Sequence, residues 1–445
     1  MVNKYHEIEI FFAKIGFFTL FFYFYDIIPY MQESLSNAEY DAPQQLEFDF
    51  EGYDSEPNSE DSFEKAEALT LQAISSAPAF TDFFEDAKCL TRLYDNTSDD
   101  ERKGFFYLFR AHDAVTGRNI AVKTTNPAFC EEHPQLNDYL KWESAVLSRL
   151  KGKNRIQQIC TPLKSIQVPV SCDGKSFLVS VSFFSSIYLP VDIRKSFFDE
   201  ANDKLKTCAN RLRLFCSIIS AVQSLHREGL CHRDLKPSNI MGTRHEGKCT
   251  AVLIDLGLSL AKPEIEKDLR LFSPKAEVPV MYAAPEIYSG FDSEWDLAQC
   301  ADIYSLGCML FELFDKRTFY NALIETNGNG YWETANNIRV GEEEFGGDLK
   351  KRLDLYHDLL SDFAPSIIIP RISEESILPL YIRKNIQEII DKLCAFDYRK
   401  RTKESELDCI KTKFRHIEHI LEDEHLRELY KKRKKTYRTR EVSHA

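Results

Sequence analysis

Leu230-Cys-His-Arg-Asp-Leu-Lys-Pro-Ser-Asn-Ile-Met241, followed by Ala251-Val-Leu-Ile-Asp-Leu-Gly257, is the stretch on which the reading of this chain turns. It gathers carboxylates (Asp234, Asp255), a cation (Lys236) and an amide (Asn239) into a short span. Immediately before it, Leu212 to His226 carries apolar residues at helical spacing, and helical patterns dominate from about Arg211 onward. Upstream the pattern is different. Phe105-Phe-Tyr-Leu-Phe and Asn119-Ile-Ala-Val-Lys-Thr-Thr are β-rich runs flanking Val115-Thr-Gly-Arg118, which reads as a hairpin turn. A helix is expected over Pro134 to Leu150, with Tyr139, Trp142, Val146, Leu147 and Leu150 at helical spacing, and two strands near Cys160 to Val168 and Ser176 to Phe183. The chain thus orders as a strand-rich part followed by a helix-rich part, with no internal repeat.

His232-Arg-Asp234 with Asn239 five residues past the Asp, then Asp255-Leu-Gly257, resembles the catalytic and magnesium-binding loops of eukaryotic-type protein kinases. Phosphoryl transfer needs a carboxylate near the attacking hydroxyl, oxygen ligands for a divalent cation, and a cation on the ATP phosphates. These residues are of those types. By the resemblance, Asp234 would take the substrate hydroxyl proton, Lys236 would neutralise the transferring phosphoryl group, and Asn239 and Asp255 would hold Mg²⁺ or Mn²⁺.

Further matches follow in the order the family requires. Lys123, on an expected strand, resembles the phosphate-anchoring lysine, and Glu143, on the expected helix, its glutamate partner. Ala284-Pro-Glu286 ends an activation segment, Asp302-Ile-Tyr-Ser-Leu-Gly307 resembles the buried helix that braces the catalytic loop, and Arg401 resembles the ion-pair partner of Glu286. The resemblance runs over about residues 88 to 415 and implies an α+β, bilobal protein kinase-like fold with a small β-rich lobe and a larger helical lobe.

There are departures. Glu101-Arg-Lys-Gly-Phe-Phe-Tyr-Leu108 stands where a Gly-rich phosphate loop would end, offering only Gly104, with Phe106 at the place of the third glycine. Leu256 replaces the usual Phe, and Val278-Pro-Val-Met-Tyr282 looks more like the corresponding segment of tyrosine kinases, whereas Lys236 favours serine/threonine chemistry. By the resemblance, Arg233 would gain order from a phosphate on the activation segment, and among Ser259, Ser273 and Tyr282 the residue followed by proline, Ser273, is the expected acceptor. The region from Phe314 to Ile386 is long for the family, and reads as a solvated loop or, through Glu342, Glu343 and Glu344, as a surface for basic substrates.

Composition bounds the rest. The 445 residues are 43% hydrophobic and 29% charged, enough for a large core plus some unstructured length. The net charge of −13 argues against a general nucleic-acid-coating surface. Residues 31 to 80 read as an acidic disordered tail, since twelve acids face the single base Lys65 between Met31 and Thr70. Twelve cysteines without any C-x-x-C pair signal neither zinc nor a disulfide framework, and a reducing cytoplasm fits best. Residues 1 to 30 form a hydrophobic segment whose longest charge-free stretch, Ile15 to Tyr25, is short for a spanning helix, so attachment to a membrane through residues 10 to 28 competes with a plain hydrophobic helix or a start at Met31. At the other end, Asp408 to Tyr430 reads as an amphipathic helix with Ile410, Phe414, Ile417 and Leu421 on its apolar side, followed by a basic run from Lys431 to Arg440, so that residues 416 to 445 make a C-terminal helix and basic tail beyond the kinase-like part.

The reading is an ATP-dependent protein kinase acting on Ser/Thr hydroxyls of proteins, with ATP and Mg²⁺ or Mn²⁺. A pseudokinase scaffold, on account of the degraded Gly-rich loop, and a small-molecule phosphotransferase of kinase-like fold are the alternatives. Ala284-Pro-Glu286 and the Asp302 segment speak against the last.

Overall fold

The computed structural model describes residues 74, 84–89, 106–126, 134–172, 175–194, 204–245, 248–275, 281–343 and 348–443. Gly104, the 1–30 and 31–70 segments, Val278 to Val280 and Glu344 lie outside them. The chain divides into a smaller unit, Met1–Leu140 with Leu163–Ser185, and a larger one, Lys141–Pro162 with Ser186–Ala445.

The smaller unit is built on a five-stranded sheet in the order β1-β2-β3-β5-β4, where β1 is Phe84–Cys89, β2 Phe106–Asp113, β3 Asn119–Thr125, β4 Ile159–Cys172 and β5 Lys175–Ile187. Strands β2 and β3 form the expected hairpin, in antiparallel register from Phe106 opposite Thr125 to His112 opposite Asn119. Its turn depends on a residue outside the quoted tetrapeptide. The Asp113 carboxylate accepts from the backbone N–H groups of Val115 and Thr116 at 3.1 and 2.6 Å, and the Thr116 hydroxyl together with these amides holds its pKa below the usual carboxylate value. Gly117 takes the left-handed φ of 64° that the closure needs. Along β2, Tyr107, Phe109 and Ala111 are buried in alternation, and on the same side of the unit Phe84 meets Phe183 edge to face at 5.5 Å. Strands β4 and β5 run past both ends of the expected spans.

Helix α1 spans Gln135–Arg149, as its periodicity predicts, with Leu136, Leu140, Trp142, Val146 and Leu147 buried. Its second half belongs to the larger unit. There, α2 (Lys204–Arg227) buries a full stripe from Cys208 to His226. The short strand β6 (Val191–Asp192) precedes it, and after it come the strands β7 (Leu230–Cys231), β8 (Ile240–His245), β9 (Lys248–Leu253) and β10 (Leu260–Ala261) and the short helices α3 (Pro263–Leu269) and α4 (Pro285–Tyr288). Helix α5, Trp295–Glu312, is buried all round, as a helix at the centre of a helical layer must be. At Gly307 the absence of a side chain lets α9 (Leu380–Leu393) come close: a Cβ there would stand 2.8 Å from Leu393 Cβ and closer still to Cys394 Sγ.

Between α5 and α9 the structure has helices where the sequence reading placed a loop: α6 (Phe319–Asn327), α7 (Gly330–Glu343) and α8 (Leu349–Phe363). Local signals explain them. Thr318 Oγ1 caps α6 by accepting from Asn321 N–H at 3.2 Å, Asp348 caps α8 by accepting from Lys351 N–H at 3.2 Å, and Gly328 ends α6 at φ 57°. The long helix α10, Leu407–Ser443, lays Leu407, Ile410, Phe414, Ile417 and Leu421 onto α2, with Phe414 against Phe215 at 5.8 Å. It passes without a break through the basic run, because no Gly or Pro interrupts a stretch of good helix formers. Nine of the cysteines, 160, 208, 216, 231, 249, 300, 308, 394 and 409, are free, and among the described residues no helix is long and apolar enough to cross a membrane.

Candidate active site

The quoted stretch begins on β7, which pairs antiparallel with β10 so that Cys231 faces Leu260. One buried carboxylate then sets the path of the chain. Asp302, midway along α5, accepts the backbone N–H of His232 at 2.7 Å on Oδ2 and that of Arg233 at 2.8 Å on Oδ1, and His226 Nε2 lies 2.9 Å from Oδ2. The bracing expected of the Asp302 helix is therefore present as three bonds to one side chain. Arg233 is held by them at φ 64°, a backbone region costing a residue with a side chain about 1–3 kcal/mol unless its surroundings impose it.

Asp234 follows, buried. Asn239 Nδ2 donates to its backbone carbonyl at 2.7 Å and to its Oδ2 at 2.8 Å, while Lys236 Nζ stands 3.5 Å from Oδ1. Oδ1 itself receives no hydrogen bond from the protein. Burial raises the Asp234 pKa, and the Lys236 ammonium opposes that rise. Pro237–Asn239 form one 3₁₀ turn, closed by Asn239 N–H donating to Lys236 O at 3.0 Å. The β8–β9 hairpin then places Ile240 opposite Leu253, and Ile254 N–H donates to Asn239 O at 3.0 Å, so the chain positions leading to Asp255 return beside Asn239. Asp255 sits at φ 60°, which turns the chain into the Leu256–Leu258 3₁₀ turn. Asn239 Oδ1 is buried and has no hydrogen-bond partner in the protein. With the Asp255 carboxylate it makes a set of hard oxygen donors, which fits a small divalent cation.

Helix α1 is fastened to this loop from its own buried side. Glu143 Oε1 accepts Leu256 N–H at 3.2 Å, Trp142 Nε1 donates to Ser259 Oγ at 2.9 Å, and Ser259 Oγ donates to Leu256 O at 2.7 Å. Lys123 lies on β3 of the smaller unit. Its ammonium is 4.7 Å from the centre of the Phe106 ring, the residue that stands in place of a glycine. Beyond the loop, Glu286 and Arg401 form the expected pair, fully buried and bidentate, with Arg401 Nη2 donating to Glu286 Oε2 at 2.9 Å and Nη1 to Oε1. The Tyr282 hydroxyl donates to Glu312 Oε2 at 2.6 Å.

Several contributors were not legible in the sequence. Asp292, Trp142 and His226 carry no motif of their own, and each earns its place only by meeting a residue 59 to 117 positions away.

The protein kinase domain model matches residues 105–414, and the chain belongs to that family. Among curated proteins it is similar to GLH-binding kinase 1 of Caenorhabditis elegans, at 26% identity over 213 residues, 47% of this chain and 48% of that protein. It is also similar to the SNF1-related protein kinase catalytic subunit alpha KIN12 of Arabidopsis thaliana, at 30% over 221 residues, 47% of this chain and 40% of that one. A probable serine/threonine-protein kinase of Streptomyces coelicolor matches at 24% over 219 residues, 48% and 29% of the two chains. The matched part covers less than half the length of each of these relatives.

Proposed function

We propose that the chain is an active protein kinase that transfers the γ-phosphoryl group of ATP to Ser or Thr hydroxyls of proteins. The observation that carries this reading is Asp234. One oxygen is tied down by Asn239, and the other is buried, without a hydrogen-bond donor, and 3.5 Å from the Lys236 ammonium. A buried carboxylate whose proton affinity is raised is a better acceptor for a hydroxyl proton than a solvated one. In the step proposed, the substrate oxygen bonds to the γ-phosphorus, the bond from that phosphorus to the bridging oxygen breaks, ADP leaves, and the hydroxyl proton goes to Asp234 Oδ1.

Lys236 stabilises the charge on the transferring group. Asn239 and Asp255 would hold Mg²⁺ or Mn²⁺, which when bound neutralises phosphate charge. Lys123 would meet the phosphates, and Glu143 keeps the Asp255–Leu256 turn in place through the Leu256 amide. Gly104 is proposed to line the same nucleotide. Preference for Ser/Thr rests on Lys236 beside Asp234 and on the likeness to a protein named as a serine/threonine kinase. A cytoplasmic kinase domain is the proposed placement, with membrane attachment through residues 10 to 28 competing with a plain hydrophobic helix or a start at Met31.

The test is the full chain with γ-labelled ATP and Mg²⁺ on a mixed Ser/Thr and Tyr peptide set. Label is expected on Ser/Thr peptides, with loss of at least about 10³-fold in Asp234→Asn at an unchanged melting temperature. Transfer by Asp234→Asn at the wild-type rate, or label confined to Tyr, would overturn it.

A further inference from the structure

Arg233, next to Asp234, carries a guanidinium with five N–H groups, and in this structure all five are engaged. Nε donates to Leu258 O at 2.7 Å. Nη1 donates to Asp292 O at 3.0 Å and to Asp292 Oδ2 at 3.4 Å, and Nη2 to Pro274 O at 2.5 Å and Ser259 O at 3.4 Å. The side chain is 1% exposed. It thereby ties together residues 258–259, position 274 of the activation segment, and the loop after α4. Among the described residues, four of these five acceptors are neutral carbonyls, and the carboxylate that meets the charge is that of Asp292, itself only 10% exposed.

Ser273, the residue expected to carry an activating phosphate, is placed for something else. Its Oγ accepts Ala261 N–H at 3.0 Å, and its own N–H donates to Glu266 Oε1 at 2.8 Å. A phosphate on that oxygen would bring nearly two negative charges beside the Glu266 carboxylate. It would also find Arg233 without an N–H to offer unless Pro274 O were released.

We propose that Asp292 is a positioning residue that takes the role of an activation-segment phosphate: a fixed anion that holds Arg233, and through it the 258–274 segment and the neighbouring Asp234, in working order without modification at Ser273. The proposal rests on the kinase reading above and deepens it. A carboxylate bound to the chain cannot be removed by a phosphatase, so phosphate transfer is set by the protein's presence and by its substrate rather than by an upstream enzyme acting at Ser273.

The experiment compares full-length wild type, Asp292→Asn, Asp292→Glu and Ser273→Ala. Asp292→Asn keeps the size and the backbone carbonyl but drops the charge. It is expected to lower kcat about tenfold, the weight of one charge-assisted hydrogen bond, with KM for ATP within about twofold, because Asp292 is proposed to act through Arg233 on Asp234 and not on the nucleotide. Asp292→Glu should recover part of the loss, and Ser273→Ala should match wild type, whose intact mass should show no phosphate at Ser273. Wild-type kcat in Asp292→Asn, or a stoichiometric phosphate at Ser273 whose removal abolishes activity, would overturn the proposal. If the wild type transfers no phosphate at all, the kinase reading falls, and amide hydrogen exchange decides this one separately. Faster exchange across residues 258–275 in Asp292→Asn would uphold the clamp, and unchanged exchange would reject it.

Discussion

Arg401 and Arg233 are both buried guanidinium groups of the larger unit, and each holds remote pieces of chain together, yet they are compensated in different ways. Arg401 faces the whole Glu286 carboxylate in a fork-to-fork pair, with Ala395 O, Cys300 O and Phe396 O completing its shell. Arg233 is met mainly by carbonyl dipoles, with one carboxylate oxygen at 3.4 Å. A full carboxylate neutralises the charge where it sits and leaves nothing adjustable. A cage of carbonyls from three segments makes the charge depend on all three remaining in place. The first arrangement suits a fixed joint between α4 and the chain before α10, and the second suits the neighbourhood of a reacting group.

The most direct way to break this contrast is Arg401→Ala, which strands the buried Glu286 carboxylate. Stability should fall by about 3–5 kcal/mol, or roughly 10 °C in the unfolding midpoint. The paired replacement Glu286→Leu with Arg401→Met should recover most of it, since no uncompensated charge is left. Thermal unfolding of both variants checks this, and a single variant that melts with the wild type would remove the joint from the account.

The same part of the fold offers a purely steric counterpart. Gly307→Ala puts a methyl group against Leu393 at the end of α9 and Cys394 just past it, with backbone and not only flexible side chain in the way. The expected cost is about 1–3 kcal/mol without any pH dependence. A midpoint within 1 °C of wild type would mean that α5 and α9 can separate at that point at no cost.

A third buried ionisable group sharpens the comparison because among the described residues it faces no cation. Glu312 accepts only from the Tyr282 hydroxyl and Phe319 N–H, and burial pushes its pKa up to about 7 from 4.5. Between those values the native state holds a proton that the unfolded chain has released. Stability from this group is therefore full below about pH 4.5, falls as pH rises, and is lost once Glu312 ionises near 7. Unfolding midpoints measured from pH 5 to 8 should decline more steeply in wild type than in Glu312→Gln, by a few degrees across the range. Parallel curves for the two proteins would mean that this carboxylate is solvated when charged.

The smallest effect is expected in the other unit, where a cation sits over an aromatic face. Phe106→Leu keeps apolar bulk beside Lys123 but removes the ring, and should raise KM for ATP about two- to fivefold with kcat nearly unchanged, in keeping with a cation–π contact of about 0.5–1 kcal/mol. A lowered KM would show instead that the ring stands in the nucleotide's way.

Much of the fold and of the candidate site could be read from the chain itself. The β2–β3 hairpin, helix α1 and the apolar side of α10 follow from period and turn chemistry, which act over a few residues and need no partner. Asp234, Lys236, Asn239 and Asp255 lie in two short runs, so their types and spacing travel with the sequence. Helices α6 to α8 were missed because Gly-rich and acidic stretches between them mimic a solvated loop, while the caps at Thr318 and Asp348 that start α6 and α8 are single residues. What only the tertiary structure decided is how charges are shared. That Asp302 accepts from two backbone amides and meets His226, that Arg233 donates to Leu258, Ser259, Pro274 and Asp292, and that Ser273 faces Ala261 and Glu266 are facts about bonds between distant positions. A guanidinium reads the same in sequence whether it waits for a phosphate or already has five acceptors, because its compensation is set by which remote groups folding brings within about 3 Å.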